Sequence, residues 1–163
     1  MRFSILLPLL ASLQACSDEC QAPDDLAAGS LEATIDGQAW STTAASWSAT
    51  GSSLNVNVDR TEGYTISMVV QSAIDTRNVL DLIDQDDFPI EITLGEGEDG
   101  GWAVVYVEGQ STSYSTTEGA GGSMTIAERS GDQLMGCVAF AANTNDGDAF
   151  VLADGFFNLT PFE

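Results

Sequence analysis

Hydrophobic and polar residues alternate along much of this chain, which is the pattern of β-strands that bury one face. The clearest case is Leu54, Val56 and Val58, which are separated by Asn55 and Asn57. Further strands are predicted at 31–35, 64–70, 90–94, 124–126, 134–142 and 150–159. Turn residues separate these runs at intervals of about 8–12 residues. The pattern predicts an all-β fold, an antiparallel sandwich or closed barrel of about nine or ten strands.

Two stretches depart from simple alternation. Trp102–Val107 is apolar at every position, so we expect a strand that is covered on both faces. Residues 72–88 are the least β-like part of the chain. A short helical turn is predicted there from the spacing of four apolar residues, Val79, Leu80, Leu82 and Ile83.

The chain begins with an apolar run at 3–13 that follows a single charge, Arg2. This run has the length of a signal peptide and is too short to span a bilayer, which takes about 20 apolar residues. It ends in Leu13–Cys16, which resembles a bacterial lipobox, although Gln14 replaces the usual small residue. An ordinary secretory signal is the alternative, but Leu13 fits poorly where such signals carry a small residue. We predict a lipoprotein signal peptide at 1–15 and lipid, palmitate included, on Cys16.

The predicted mature chain has two parts. Residues 16–30 are polar and acidic, so we expect a tether, and residues 31–163 suit one all-β domain. Ser17 follows the predicted lipidated cysteine, and in enteric-type sorting a residue other than Asp there implies the outer membrane. We therefore expect an outer-membrane lipoprotein of the cell envelope, with its domain on the periplasmic or surface side.

The chain is strongly acidic, with 25 Asp and Glu against 4 Lys and Arg, a net charge of −21 and no His. Such a charge repels nucleic acid and anionic lipid head groups, so we expect no nucleic-acid partner and membrane contact only through the lipid anchor. The acids are spread along the chain, which favours solubility over a dedicated cation site. We expect a monomer whose partner is an envelope protein or a glycan.

Three blocks of sequence carry a family resemblance. The first is Ala33–Gly37 with Trp40, in which Asp36-Gly37 is typical of a hairpin turn. The others are Gly122–Ile126, and Gly136 with Phe140 leading to Asp154–Phe157. Together they resemble a family of bacterial lipoproteins known only as domains of unknown function. The resemblance implies an all-β fold and no known activity, and it carries over no catalytic residue.

The residue types present restrict the possible chemistry. Without His, nucleophile activation by Ser-His-Asp or Cys-His and histidine zinc sites are excluded, and without Lys so is a Ser-Lys dyad. A carboxylate pair, as in glycoside hydrolysis, is still open. Because 25 acids produce chance pairs, spacing singles out none, and we name no catalytic residue.

Two acidic loops are candidate calcium sites, since Ca²⁺ takes six to eight oxygen ligands around a tight turn. The first contains Glu96, Glu98 and Asp99, and the second contains Asp146 and Asp148. Neither loop matches an EF-hand. The alternative is that both are ordinary hairpin turns, which are rich in Asn, Asp and Gly. Calcium is therefore the one cofactor that we consider.

Large aromatic residues offer a second kind of site, because exposed rings can stack on sugars. Trp102 and Tyr106 share a strand face with Val104 and are predicted to lie in the core. Tyr114 lies in a stretch rich in Ser, Thr and Gly, so it is the aromatic that we expect to be exposed and to bind a ligand.

The cysteines are Cys16, Cys20 and Cys137. Once Cys16 carries lipid, one pair remains in an oxidising compartment, so we predict a disulfide between Cys20 and Cys137. Leu134, Val138 and Phe140 should face the core, which leaves Cys137 on the outer face of its strand. The N-terminal segment is the available cover for that face. Two free thiols are the alternative.

These observations favour an envelope-anchored lipoprotein with a non-enzymatic binding or structural β-domain. The alternatives are a calcium-assisted carbohydrate-binding module and a carboxylate-pair glycoside hydrolase. A surface with two exposed aromatics near acids would favour the carbohydrate-binding module. Two buried carboxylates facing each other in a cleft would favour the hydrolase.

Overall fold

The structure, a computed structural model, describes Cys20 and residues 22–61, 63–95, 100–117 and 120–162. These residues form eleven strands and one short helix, which confirms the prediction of an all-β fold. The elements are β1 (Ser30–Ile35), β2 (Gln38–Thr42), β3 (Ala45–Thr50), β4 (Ser53–Thr61), β5 (Tyr64–Val70), α1 (Val79–Asp84), β6 (Ile90–Leu94), β7 (Gly101–Val107), β8 (Ser113–Ser115), β9 (Gly121–Ser130), β10 (Gln133–Asn143) and β11 (Ala149–Pro161).

Eight of these strands close into a barrel. Their order around the ring is β11, β3, β4, β5, β7, β6, β9 and β10, and β10 pairs back with β11. The strands β1 and β2 extend from β11, and β8 pairs with both β7 and β10. Closure gives each strand of the ring a neighbour on both sides, and β2 remains as an open edge of the described sheet.

The ring has two weak seams. β11 meets β3 in parallel at two residue pairs, Thr160–Ser46 and Pro161–Trp47. β6 meets β7 in parallel at one pair, Leu94–Gly101. All other neighbours in the ring pair in the antiparallel sense. The barrel therefore consists of two antiparallel sheets, β3-β4-β5-β7 and β6-β9-β10-β11, which are joined at two short seams. It combines features of the two predicted architectures, the sandwich and the closed barrel.

The core lies inside this ring and is filled by alternate residues of every barrel strand. Phe140, Phe150 and Phe157 are among its largest fully buried side chains. Tyr64 extends this aromatic group, with its ring centroid 5.7 Å from that of Phe150, and Trp40 meets Tyr64 edge-on at 6.2 Å. Aromatic pairs at these separations add to the stability gained by burial.

The predicted helical turn is confirmed as α1. Asn78 caps it, since its Oδ1 accepts hydrogen bonds from the backbone N–H groups of Leu80 and Asp81 at 2.9 and 3.3 Å. Val79, Leu82 and Ile83 are buried, as the apolar spacing predicts. The interval between β5 and β6 therefore contributes to the core although it forms no strand.

The segment before β1 lies against the outside of the barrel. Leu26 is buried there, and its carbonyl accepts a hydrogen bond from Nδ2 of Asn158 on β11 at 2.9 Å. The backbone N–H of Gly29 donates to the Asn158 carbonyl at 2.7 Å. The part of the predicted 16–30 tether that the structure describes is thus packed on β11, and Ser30 already belongs to β1.

Candidate functional site

The outer face of β7 carries two large aromatic side chains, Trp102 and Tyr106. Along this strand Ala103 and Val105 are fully buried, Trp102 and Val104 are half-buried, and Tyr106 is 55% exposed. The predictions that both faces of the strand are covered, and that Trp102 and Tyr106 lie in the core, are therefore wrong. The barrel wall is a single layer, so the apolar residues on its outer side meet solvent.

The strand register continues this face across the sheet. Residues directly opposite each other on neighbouring strands share a face and lie in side-chain contact range. Trp102, Val104 and Tyr106 stand opposite Val69, Ser67 and Thr65 of β5. On the other side of β7, Val104 and Tyr106 stand opposite Ser115 and Ser113 of β8. The register from β5 to β4 and β3 adds Asn55, Asn57, Ser46 and Ser48. We call this surface the aromatic face; its members are Ser46, Ser48, Asn55, Asn57, Thr65, Ser67, Val69, Trp102, Val104, Tyr106, Ser113 and Ser115.

The aromatic face is polar but uncharged. Nine of its side chains end in a hydroxyl or an amide or carry the phenol of Tyr106, and none carries a charge. Ser67 Oγ donates a hydrogen bond to Asn57 Oδ1 at 3.1 Å across β5 and β4. The outward positions continue past Asn57 and Tyr106 to Asp59 and Glu108, both exposed. Carboxylates therefore lie at the edge of the aromatic face, next to Thr65 and Tyr106.

A polar depression adjoins the aromatic face at β8. It is about 540 Å³ and is lined by Ser111, Thr112, Ser113, Ser115, Asn145 and Asp146. Ser113 and Ser115 belong to both surfaces, and Ser113 stands opposite Tyr106. The depression therefore extends the row of hydroxyl groups beyond the exposed tyrosine.

Tyr114 is not the exposed aromatic that the sequence predicts. It is 9% exposed, its ring centroid is 5.9 Å from that of Phe150, and its hydroxyl donates to Gln110 Oε1 at 3.1 Å. The polar stretch around it forms β8, and β8 alternates. Its serines face outward while Tyr114 faces the core, so the ligand-binding role assigned to Tyr114 has no exposed surface to act through.

The second predicted calcium loop forms a tight turn. The backbone N–H of Asp148 donates to Thr144 Oγ1 at 3.0 Å, and Gly147 adopts a positive φ of 90°. Asp146 and Asp148 are both exposed. Among the described residues, no group of three or more His, Cys, Asp or Glu is placed to hold a metal ion. Glu96, Glu98 and Asp99 lie outside the described residues, so calcium binding stays a prediction.

The predicted disulfide between Cys20 and Cys137 is present, with the two Cα atoms 5.8 Å apart. Cys137 is 2% exposed on the outer side of β10, while Leu134, Val138 and Phe140 are fully buried in the core. The N-terminal segment is thereby bonded to the outside of the barrel. Cys16, the predicted lipidation site, lies outside the described residues.

The carboxylates of the described chain are on the surface, and none of its Asp or Glu side chains is buried. Arg77 forms ion pairs with Asp75 and, at 2.5 Å, with Asp87. The hydrogen bond from Arg77 lowers the pKa of Asp75 below its ordinary value, and the two carboxylates raise the pKa of Arg77. The described residues therefore offer no buried carboxylate pair of the kind that would favour a hydrolase.

No protein-family model, curated protein or solved structure matches this chain. Within the described residues, no helix is long and apolar enough to cross a bilayer.

Proposed function

We propose that this protein is a lipid-anchored lipoprotein of the outer membrane with a non-enzymatic binding domain, and that the aromatic face is its binding surface. The observation that carries the proposal is the position of this face relative to the Cys20–Cys137 bridge. β10, which holds Cys137, and β5, at the centre of the aromatic face, are four strands apart in the eight-strand ring. That is the largest separation in the ring, and the edge of the face at β8 meets β10 only at the Ser115–Asn143 pair, six residues from Cys137.

The disulfide bridge determines which side of the barrel the predicted anchor would hold near the membrane. Cys16 precedes Cys20 by four residues, which span at most about 14 Å when fully extended. A lipid on Cys16 would therefore hold the β10 side of the barrel near the membrane. The aromatic face would then point away from the membrane, where it can meet a ligand.

The exposure of Tyr106 supports a binding role for that face. Surfaces that expose contiguous apolar groups among polar ones commonly mark interaction sites, and tyrosine is enriched in them because it combines an apolar ring with a polar end. Trp102, Val104 and Tyr106 form such a stripe on one strand.

The anchor is tested by expressing the precursor and its Cys16→Ala variant in a bacterium that processes lipoproteins. We expect mass spectrometry to find an acylated Cys16 at the N-terminus of the wild-type protein, and fractionation to place it in the outer membrane. The variant should accumulate as an unprocessed or soluble form. Release of an unacylated wild-type protein would contradict the proposal.

A further inference from the structure

We propose that the open edge of β2 binds an extended, basic segment of another protein, which adds to the sheet as a further strand. Within the described residues β2 pairs with β1 alone. Its residues, Gln38–Thr42, include no charged residue and no proline, which natural edge strands commonly use to prevent pairing. Strand addition to such an edge is a recurring way of binding peptides. The β2 edge shares no residue with the aromatic face, so this inference is independent of the role proposed for that face.

The hairpin geometry shows which backbone groups of β2 are open. The two-residue turn at 36–37, with positive φ at both positions, makes Ile35 and Gln38 a hydrogen-bonded pair. Hydrogen-bonded and non-hydrogen-bonded pairs alternate along antiparallel strands, so Ala39 and Ser41 form the non-hydrogen-bonded pairs with β1. Their N–H and C=O groups therefore point away from β1. Both residues are exposed, and no other described residue forms a backbone hydrogen bond with them.

A depression with two carboxylates lies beside this edge, on the outer side of β2, β1 and β11. It is about 500 Å³, and the residues that line it include Glu32, Thr34, Ser41, Asp154 and Phe156. Glu32 and Asp154 are both exposed. Phe156 is half-buried and stands opposite Glu32, so its ring can support a cation that pairs with that carboxylate.

A bulge in β11 places the second carboxylate there. Phe156 and Ala153 stand opposite Glu32 and Thr34, which leaves two residues of β11 opposite one residue of β1. Asp154 is in this bulge and adopts a positive φ of 50°. Bulges redirect side chains, and residues held in the left-handed region are frequent where a ligand is bound.

The register selects lysine or arginine for the added strand. Its outward side chains would lie beside Ala39 and Ser41, which are small, and Glu32 stands opposite Ser41 on the far side of β2. The added strand and β1 are two strand spacings apart, about 10 Å. The long side chains of Lys and Arg can lie across Ser41 with their charge at Glu32, whereas shorter side chains end over β2.

The charge of the chain favours a basic partner over a second copy. A net charge of −21 attracts cationic segments and opposes the pairing of two β2 edges from identical chains. A second copy would bring its own Gln38–Thr42, which contains no cation, together with its own Glu32. A basic segment gains both the open backbone groups and the neighbouring carboxylates.

The experiment is fluorescence anisotropy of labelled peptides with the detergent-solubilised mature protein. The basic probe is a peptide of alternating Lys and Val, and the acidic probe has Glu in place of Lys. A third probe keeps the Lys side chains but carries methyl groups on their backbone nitrogens, which prevents strand pairing. We expect the basic probe to bind, and the acidic and methylated probes to bind at least tenfold more weakly.

Variants of the protein test the edge and the charge separately. Ser41→Pro removes an outward N–H and no bond to β1, so the fold should tolerate it and the Kd of the basic probe should rise tenfold or more. Ser41→Ala keeps that N–H and should change the Kd little. Glu32→Gln should raise the Kd about two- to fivefold, the range of an exposed ion pair. Asp81→Asn is the matched charge control, because Asp81 is exposed on α1, away from β2.

Several results would overturn the inference. Failure of the basic probe to bind, or equal binding of the basic and methylated probes, excludes strand addition. Equal binding of the basic and acidic probes excludes a cationic occupant. A wild type that sediments as a dimer and becomes a monomer on Ser41→Pro would assign the edge to a second copy. Matching circular dichroism melts establish that the variants fold, and the methylated probe tests the edge even where Ser41→Pro does not.

Discussion

Cys137 is buried on the outer side of a barrel strand, a position that ordinarily faces solvent. Cys20 is bonded to it, and the segment that includes Leu26 lies on the neighbouring strand β11. Leu26 and Asn158 hold the same segment by a side-chain to backbone hydrogen bond. One covalent and several polar contacts therefore fix the N-terminal segment, and the covalent one joins residues 117 positions apart.

Loss of the disulfide should destabilise the domain substantially. In the chain-entropy model, a bridge that closes a loop of over a hundred residues contributes up to about 4–5 kcal/mol to the free energy of unfolding. Urea denaturation of the Cys16→Ala protein before and after reduction measures this contribution. Thiol titration of the denatured, unreduced protein should find no free thiol. Two reactive thiols would contradict the bridge.

The ion pairs of Arg77 predict a pH-dependent contribution to stability. Because the folded-state pKa of Asp75 is lowered, the contribution is fully present above the ordinary carboxyl value of about 3.9 and is lost as the pH falls through the lowered folded-state value. Arg77 stays protonated throughout this range. Arg77→Gln should therefore lower the melting temperature slightly at pH 7, and the difference from wild type should shrink in acid.

The control for this prediction is the Asp75→Asn background, in which Arg77→Gln should have a smaller effect at pH 7. Both side chains are about half exposed, so the solvent screens the pair and the effect is expected to be small. A difference in melting temperature that grows in acid would contradict the assigned sign.

At the scale of elements, glycines set how closely strands approach. Gly136 of β10 stands opposite Phe157 of β11, and the ring of Phe157 covers the space where a side chain would be. An added Cβ at 136 would collide with the carbonyl oxygen of Thr125 and lie 2.7 Å from Phe157 Cζ. Gly136 therefore leaves the space that the Phe157 ring occupies.

Gly136→Ala should therefore destabilise the domain by about 1–3 kcal/mol or more, the usual cost of overpacking. Gly95→Ala is the matched control, because its added Cβ would meet nothing nearer than the Ala120 carbonyl oxygen at 3.8 Å. Denaturant unfolding of both variants measures the two costs. Equal free energies of unfolding for the two variants would show that β9 and β10 can move apart without destabilising the domain.

The local sequence pattern predicts where the strands lie better than it predicts which of their side chains are buried. The Asp36-Gly37 turn is confirmed, with both residues at positive φ and β1 paired with β2 from Ile35–Gln38 onward. The alternation of polar and apolar residues can locate a strand. It cannot tell whether the outer face of that strand is exposed to solvent. Trp102–Val107 is apolar at every position, so its composition wrongly predicts that Tyr106 is buried. Tyr114 lies among polar neighbours, so its surroundings wrongly predict that it is exposed. The alternating Asn and Ser residues of β4 and β5 were the available signal for the aromatic face.

At the scale of the whole molecule, closure depends on contacts that no local pattern encodes. The β11–β3 seam joins residues that are over a hundred positions apart in the sequence, through two residue pairs. The β6–β7 seam joins residues on either side of a short loop, through one pair. Whether two sheets remain a sandwich or close into a barrel is decided at these few positions. The sequence therefore predicts the class of the fold but not the ring order, and the ring order is what places β5, at the centre of the aromatic face, opposite β10.

The ring order leads to a prediction about orientation on the membrane. Ser67 lies on the outer side of β5 in the aromatic face, and Met135 lies on the outer side of β10, two residues from Cys137. Each is replaced by cysteine in the acylated protein, labelled with a fluorophore and bound to vesicles that carry a head-group quencher. We expect stronger quenching at 135 than at 67, because four extended residues keep Cys20 within about 14 Å of the lipidated Cys16. The same labels on the Cys16→Ala background, which should not bind the vesicles, give the unquenched reference. Equal quenching at both sites, or stronger quenching at 67, would mean that the aromatic face does not point away from the membrane.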